Sequence, residues 1–347
     1  MTSVRARLAD GLVIPAHPLA LTARRTLDER RQRALTRYYI DAGAGGVAVG
    51  VHTTQFAMHE PRRGLLRPVL ELARDTVRDH PSRRAAPLLI AGVIGGRAQA
   101  RHEATLARTL GYDAVLLGFN GLGATTDDAL VIHARAIAEI LPVIGFYLQP
   151  SVGGRVLGYR FWRDFAEIPG VVAIKIAPFN RYATQVVIRA VADSGREREI
   201  ALYTGNDDHI VVDLLTRFPA GAGRSIQVVG GLLGHWAFWT RRAVELHRRC
   251  HRIVTDRRAI PAQLLQLAAA TTDANGAVFD AAHDFRGCIP GIHEILRRQG
   301  LLAGTWCLDP AEGFSPGQMA EIDRVCAAYP GLTDDAFVAE RIDRWMR

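Results

Sequence analysis

Short apolar runs recur along this chain, and most of those in its first half are followed by a polar-apolar stretch with helical spacing. The runs predict strands over 11–15, 45–51, 86–94, 113–118, 141–147, 170–178, 199–204 and 225–230. Helices are predicted over 30–42, 60–79, 99–110 and 126–140. A capping box, with Thr26 as N-cap and Glu29 three residues on, opens the first of these. Strand ends fall about thirty residues apart, the length of one strand–helix unit. Eight such units without a G-x-G-x-x-G fingerprint predict an α/β fold, a (β/α)8 TIM barrel rather than a doubly wound sheet.

Beyond 235 the strand pattern stops. Helices are predicted over 240–251, 260–272, 292–300, 315–329, with Pro316 in its first turn, and 334–347. The chain therefore divides into a barrel, 1–234, and a C-terminal helical extension packed on it, 235–347. No linker, repeat or low-complexity segment offers another boundary.

The composition is that of a globular protein: 347 residues, 48% hydrophobic and 22% charged. No apolar run reaches the roughly 18 residues that a membrane-spanning helix needs. The first ten residues lack the apolar core of a secretory signal. The four cysteines, Cys250, Cys288, Cys307 and Cys326, form no CxxC pair and no metal-ligand spacing. Reduced thiols and a cytoplasmic location are expected. The net charge of +8 raises nucleic-acid binding. Yet the arginines are scattered along helical stretches with no aromatic-interleaved basic stripe, so neither nucleic acid nor membrane is an expected partner. A positive field also suits a small anionic substrate.

One residue changes the picture. Of 43 lysines and arginines, Lys175 is the only lysine. It lies within Val171-Val-Ala-Ile-Lys-Ile-Ala177, an apolar run with the character of a strand buried on both faces. Arginine stays protonated, whereas a desolvated lysine can lose its proton and become a nucleophile. Lys175 is therefore the candidate Schiff-base lysine. A lysine that snorkels from a strand end or pairs with a carboxylate is the plainer alternative.

Chemistry in a (β/α)8 barrel sits at the C-terminal ends of the strands. Polar residues there include His52, Thr53 and Thr54 after strand two, and Tyr147 at the end of strand five. Strand seven leads into Gly205, Asn206, Asp207 and Asp208, and strand eight ends at Gly230 and Gly231. An amine, a phenol that shuttles protons, and hydroxyl and N–H donors for a carboxylate would together process a 2-oxo acid. Asp207 and Asp208 are read as caps of the helix starting near His209. His52 has no partner visible in the sequence, so no metal role is expected.

These motifs together resemble the dihydrodipicolinate synthase / N-acetylneuraminate lyase family of class I, pyruvate-dependent aldolases, over roughly 11–234. Gly50-Val-His-Thr-Thr54 stands where that family has its carboxylate loop. Tyr147-Leu-Gln-Pro150 stands where it has the catalytic Tyr-x-x-Pro, and Ala173-Ile-Lys175 where it has the Schiff-base lysine, 28 residues from the tyrosine. Thr204-Gly-Asn-Asp207 resembles its strand-seven motif. The resemblance implies catalysis by Lys175 and Tyr147 and substrate binding by Thr53, Thr54, Gly205, Asn206 and Gly231. It also implies no dissociable cofactor, no metal, and a homo-oligomer, dimer or tetramer.

Departures from the family pattern narrow the expected activity. Thr54 is followed by Gln55-Phe56. Phe119 stands where a relay tyrosine is expected, and Val152 where the synthase has a carboxylate-binding arginine, with Arg155 three residues on. A Schiff-base lyase other than dihydrodipicolinate synthase is expected: an aldolase, hydratase-aldolase or dehydratase acting on pyruvate or a related 2-oxo acid. The alternatives are a barrel that binds a 2-oxo or sugar acid without turnover, and a metal-dependent aldolase, for which no His/Asp/Glu cluster is seen.

Overall fold

The computed structural model describes residues 3–82, 85–221 and 223–347. Among the described residues nine strands form: β1 (Val13–Pro15), β2 (Gly46–Val49), β3 (Leu88–Val93), β4 (Ala114–Leu117), β5 (Val143–Leu148), β6 (Val171–Ala177), β7 (Ala201–Thr204), β8 (Arg217–Pro219) and β9 (Ser225–Leu233). All but β8 pair in parallel in the order β1-β9-β7-β6-β5-β4-β3-β2. The Ala16–Ala48 bridge closes this sheet into the expected (β/α)8 barrel, and His17 N donates to Ala48 O at 2.8 Å across the same seam. Each predicted strand is present. The short β8, which pairs antiparallel with β9, was not foreseen.

Alternation along the strands sorts the core into two layers. Ile144, Phe146, Leu148, Ala173, Ala177, Ala48 and Ile90 pack inside the barrel. Val143, Tyr147, Ile174, Ile176 and Val115 pack outward beneath the helices. Burial of both faces explains why the strands read as continuous apolar runs.

Four local expectations are corrected. The helix Glu29–Ala42 is capped by Asp28, whose carboxylate accepts from Arg31 N at 3.1 Å. Thr26 instead hydrogen-bonds Thr22 through their hydroxyls. The predicted helix over 60–79 is confined to Leu66–Asp79; before it come 3-10 turns at His52–Thr54, Phe56–His59 and Pro61–Arg63. Positive φ at Gln55 ends the first turn and at Gly64 the third, and extended backbone at Glu60 ends the second, before an α-helix can propagate. Pro316 precedes its helix, which spans Gln318–Ala328, and 334–347 divides into Asp335–Ala339 and Ile342–Trp345.

The extension is helical. Its first helix, Thr240–Thr255, lies in the ring around the barrel: Thr240 N donates to Tyr38 Oη at 2.7 Å, and His247 Nε2 donates to Val229 O at 2.9 Å. By packing, the barrel thus continues past 234. The helices Ala262–Val278 and Cys288–Arg298 bring Phe279, Phe285 and Ile292 over its C-terminal mouth.

Candidate active site

Lys175 occupies the middle of β6, whose inward positions are Ala173, Lys175 and Ala177. The lysine is 6% exposed. Small neighbours leave room for its chain, most critically Gly205, which follows β7 and donates its N–H to Ile176 O at 2.7 Å. Among the described residues Lys175 makes no hydrogen bond and no ion pair, and its Nζ lies 4.1 Å from the centre of the Phe146 ring. Burial pushes its pKa down to about 8, partly opposed by the negative charge of Asp207. An amine so placed reaches its neutral, nucleophilic form far more readily than a solvated lysine.

Asp207 faces the same cavity and is 9% exposed. Its Oδ1 accepts from His235 N at 2.9 Å, and its main-chain carbonyl accepts from Asn275 Nδ2 at 2.6 Å. Burial pushes its carboxyl up to about 7, against the pull of the His235 N–H and of Lys175. The expected capping role is thereby overturned: the helix Ile210–Leu215 has no side-chain cap, and the carboxylate turns toward the barrel mouth. Asp207 is the functional candidate that sequence reasoning missed. Its position just past a strand end was visible; its direction was not.

The cavity lies at the C-terminal mouth. Thr53, His52 and Gly205 line it with Lys175 and Asp207. Thr53 spends its hydroxyl proton on Ala16 O at 2.7 Å. Burial, then the lysine charge, hold His52 down to about 4, so it is neutral. The turn bearing these residues is braced from below. His59 Nε2 donates to Gly50 O at 2.8 Å, and His59 Nδ1 stands 3.0 Å from Glu103 Oε1 in a fully buried pair.

Four predicted site residues lie elsewhere. Thr54 is buried in its own turn, donating to His17 O at 2.6 Å and accepting from Gly50 N and Val51 N. Asn206 is buried behind the site and holds Phe179 N at 3.1 Å, with its amide nitrogen 3.1 Å from Asp213 Oδ2. Gly231 is closed off by Trp236, whose ring would stand 2.7 Å from an added Cβ.

Tyr147 is the largest departure. Its ring packs on Trp162 in the outer layer, 5.2 Å between centroids, and its hydroxyl accepts from Leu157 N at 3.4 Å. The cause is a shift in strand pairing. Val143 pairs with Val171, but Ile144 pairs with Ala173, so one extra residue of β6 is absorbed at Val172. Lys175 then sits opposite Phe146 rather than Tyr147. Paired residues of parallel strands share a face, and a one-residue slip changes which face a side chain takes. Tyr203, beside Lys175 on the other side, points inward but donates to Leu8 O at 2.8 Å and accepts from Leu12 N at 3.1 Å, at the opposite end of the barrel.

Arg155 is also committed elsewhere. It donates to Leu122 O at 3.0 Å and Thr125 O at 2.8 Å and pairs with Asp127 at 3.3 Å. Val152, by contrast, lines the cavity. Among the described residues lining it there is no arginine.

Fold and site define a (β/α)8 barrel with a sequestered amine and a carboxyl group at its C-terminal mouth. The sequence matches no family model and no curated protein. The fold is similar to that of dihydrodipicolinate synthase from Oceanobacillus iheyensis, with a TM-score of 0.72 and 17% identity over 93% of this chain and 97% of that one. It is likewise similar to N-acetylneuraminate lyase from Fusobacterium nucleatum complexed with pyruvate, with a TM-score of 0.71 and 17% identity over 93% and 98%. YagE, a prophage protein of the dihydrodipicolinic acid synthase family from E. coli K12 in complex with pyruvate, gives 0.73 and 18% over 92% and 97%. At such identities the likeness extends to the fold, and the chemistry must be argued from the residues.

Proposed function

We propose that this protein is a Schiff-base-forming lyase acting on pyruvate or a related 2-oxo acid through Lys175. The observation that carries this reading is a buried amine, without an ion pair, in the mouth of the barrel. Likeness of fold to two structures solved with pyruvate supports the same substrate class. The amine attacks the 2-oxo carbon, and the carbinolamine loses water to give an iminium. That cation draws electrons from the adjacent carbon, allowing C–C cleavage, the reverse addition, or loss of water.

Proton transfer is assigned to Asp207 rather than Tyr147. Asp207 faces the cavity and its carboxyl is raised to about 7, in the range where it can both give and take a proton. The substrate carboxylate is assigned to the Val51–Thr53 corner. The Thr53 hydroxyl donates to Ala16 O and the Val51 N–H to the Thr54 hydroxyl, so the main-chain N–H groups of His52 and Thr53 and the neutral His52 ring are assigned to hold it.

Borohydride reduction in the presence of pyruvate, followed by peptide mass spectrometry, tests the reading. An adduct on Lys175 is expected; its absence removes the covalent mechanism. The outward turn of Tyr147 favours a second reading, a barrel that binds a 2-oxo or sugar acid without turnover. Lys175→Arg separates the two: ligand binding survives in a mere binder, whereas a Schiff-base enzyme loses both adduct and turnover. A homo-oligomer, dimer or tetramer, is the proposed assembly, to be checked by light scattering.

A further inference from the structure

The outer half of the cavity has a chemistry of its own. Below, around Lys175, the lining is polar, with Thr53 and Asp207. Above, it is mostly apolar, with Leu148, Val152, Phe179, Phe279, Phe285 and Ile292 beside Gln149 and Cys288. Half of these come from the C-terminal extension, so the feature belongs to the assembled fold and not to the barrel alone.

The apolar wall is built with care. Phe179 adopts φ 49°, and Asn206 holds its N–H at 3.1 Å. Phe179 meets Phe285 edge to face, 5.4 Å between centroids and 74° between planes. Phe285 itself adopts φ 65°. Its loop is tied down by the buried carboxylate of Asp280, which accepts from Gly287 N at 2.9 Å and His283 Nδ1 at 2.6 Å, and from the Ser315 hydroxyl. Bulky residues at positive φ carry strain, and these persist because the surrounding bonds hold them. Those bonds keep two aromatic rings facing the cavity.

We propose that the distal part of the substrate is uncharged and apolar, an aryl or alkyl group seated against Phe179, Phe279 and Phe285. This inference rests on the Schiff-base reading above for the placement of the 2-oxo acid end. In the synthetic direction the pyruvate enamine carbon forms a bond to the carbonyl carbon of an aldehyde R–CHO. The aldehyde oxygen takes a proton, and water releases a 4-hydroxy-2-oxo acid from the lysine. Cleavage runs the same steps backward, and nothing is oxidised or reduced. A second carboxylate or a polyhydroxyl chain would lose its water to a mostly hydrocarbon wall in which Gln149 offers one amide, and among the described lining residues no arginine could compensate a carboxylate.

Binding is measured separately from covalent trapping. Ligand-induced thermal shifts are recorded with 2-oxo-4-phenylbutanoate, with 2-oxoglutarate and with a 3-deoxy-2-oxo sugar acid, for the wild-type protein and for Val152→Arg. The expected result is at least about 10-fold tighter binding of the phenyl acid, in the range a hydrophobic pocket can discriminate. Val152→Arg, at a half-buried wall position, should reduce that preference about 10-fold by improving binding of the diacid. The proposal is overturned if the diacid or the sugar acid binds wild type as tightly as the phenyl acid. Pyruvate trapping on the same preparation judges the lysine chemistry independently: a phenyl preference without an adduct upholds the apolar pocket and removes the Schiff base, and an adduct without the preference does the reverse.

Discussion

A Cβ added to Gly205 would stand 2.6 Å from Cε of Lys175 and 3.0 Å from its Cγ. Real side-chain carbons do not approach so closely, and Ala177 on the same side, 2.7 Å from that Cβ, blocks the retreat. The backbone of residue 205 thus forms one wall of the channel that aims the amine. Gly205→Ala is expected to keep the fold and displace the lysine. The rate of borohydride trapping with pyruvate should fall at least about 10-fold, an amount ordinary for angstrom-scale misplacement of a reacting group. Trapping at the wild-type rate would mean the lysine chain has another course.

The second prediction concerns pH. In the proposed mechanism Lys175 reacts as the free amine, and its folded pKa is about 8 against an ordinary 10.5. Trapping should therefore accelerate as pH rises and level off above about 8. The charge of Asp207 favours the protonated lysine. Asp207→Asn removes that charge, so the trapping midpoint should move to lower pH. Turnover should nevertheless fall, by about 10²-fold or more, if the carboxyl carries protons. An unmoved midpoint would mean that Asp207 carries no charge beside the lysine, and unchanged turnover that it carries no protons.

Tyr147→Phe distinguishes the motif from the geometry. If the phenol were the shuttle, its loss would cost about 10²–10⁴ in rate. With the ring on Trp162 and the hydroxyl held only by Leu157 N at 3.4 Å, turnover should change little. The expected cost is in stability, about 0.5–1.5 kcal/mol for one hydrogen bond, measured by denaturant unfolding.

Glu103 supports the site at a distance. Its carboxylate accepts from Ile94 N at 3.0 Å and Gln99 Nε2 at 2.9 Å, and faces His59, which in turn holds the Gly50 carbonyl. Glu103→Ala leaves several buried donors unpaired and should cost about 3 kcal/mol. Because Gly50 begins the turn carrying Thr53, pyruvate binding should weaken along with stability. Unchanged unfolding in urea would show that the pair contributes little.

Much of the fold was legible in the residues. Each barrel strand announced itself as an apolar run because both of its faces are buried, and Lys175 stood out because a charge inside such a run needs a reason. Elements shaped by local backbone exceptions were less legible. The turns after Gly50 depend on positive φ at Gln55, which no periodicity reveals, and Asp28 took the cap from Thr26 by geometry alone.

The site was legible only in part. Lys175, Thr53 and Gly205 meet at the cavity, while Tyr147, Thr54, Asn206 and Gly231 do not line it. Tyr147 and Lys175 have the spacing of partners, and a count along the chain treats them as such. One residue absorbed at Val172 puts Phe146 opposite the lysine instead. Asp207 looked like a helix cap because capping is local, whereas its partners, His235 and Lys175, are distant in sequence.

The sequence by itself determined the alternation of strand and helix, the barrel it closes into, and the single amine placed where burial lowers its pKa. Those follow from periodicity and from the cost of burying charge, both properties of short stretches. Only the tertiary structure decided which groups surround that amine: a carboxyl in place of a phenol, and aromatic rings brought over the mouth by the C-terminal helices. Strand register and the docking of distant helices set those neighbours, and neither is encoded in the spacing of any one segment.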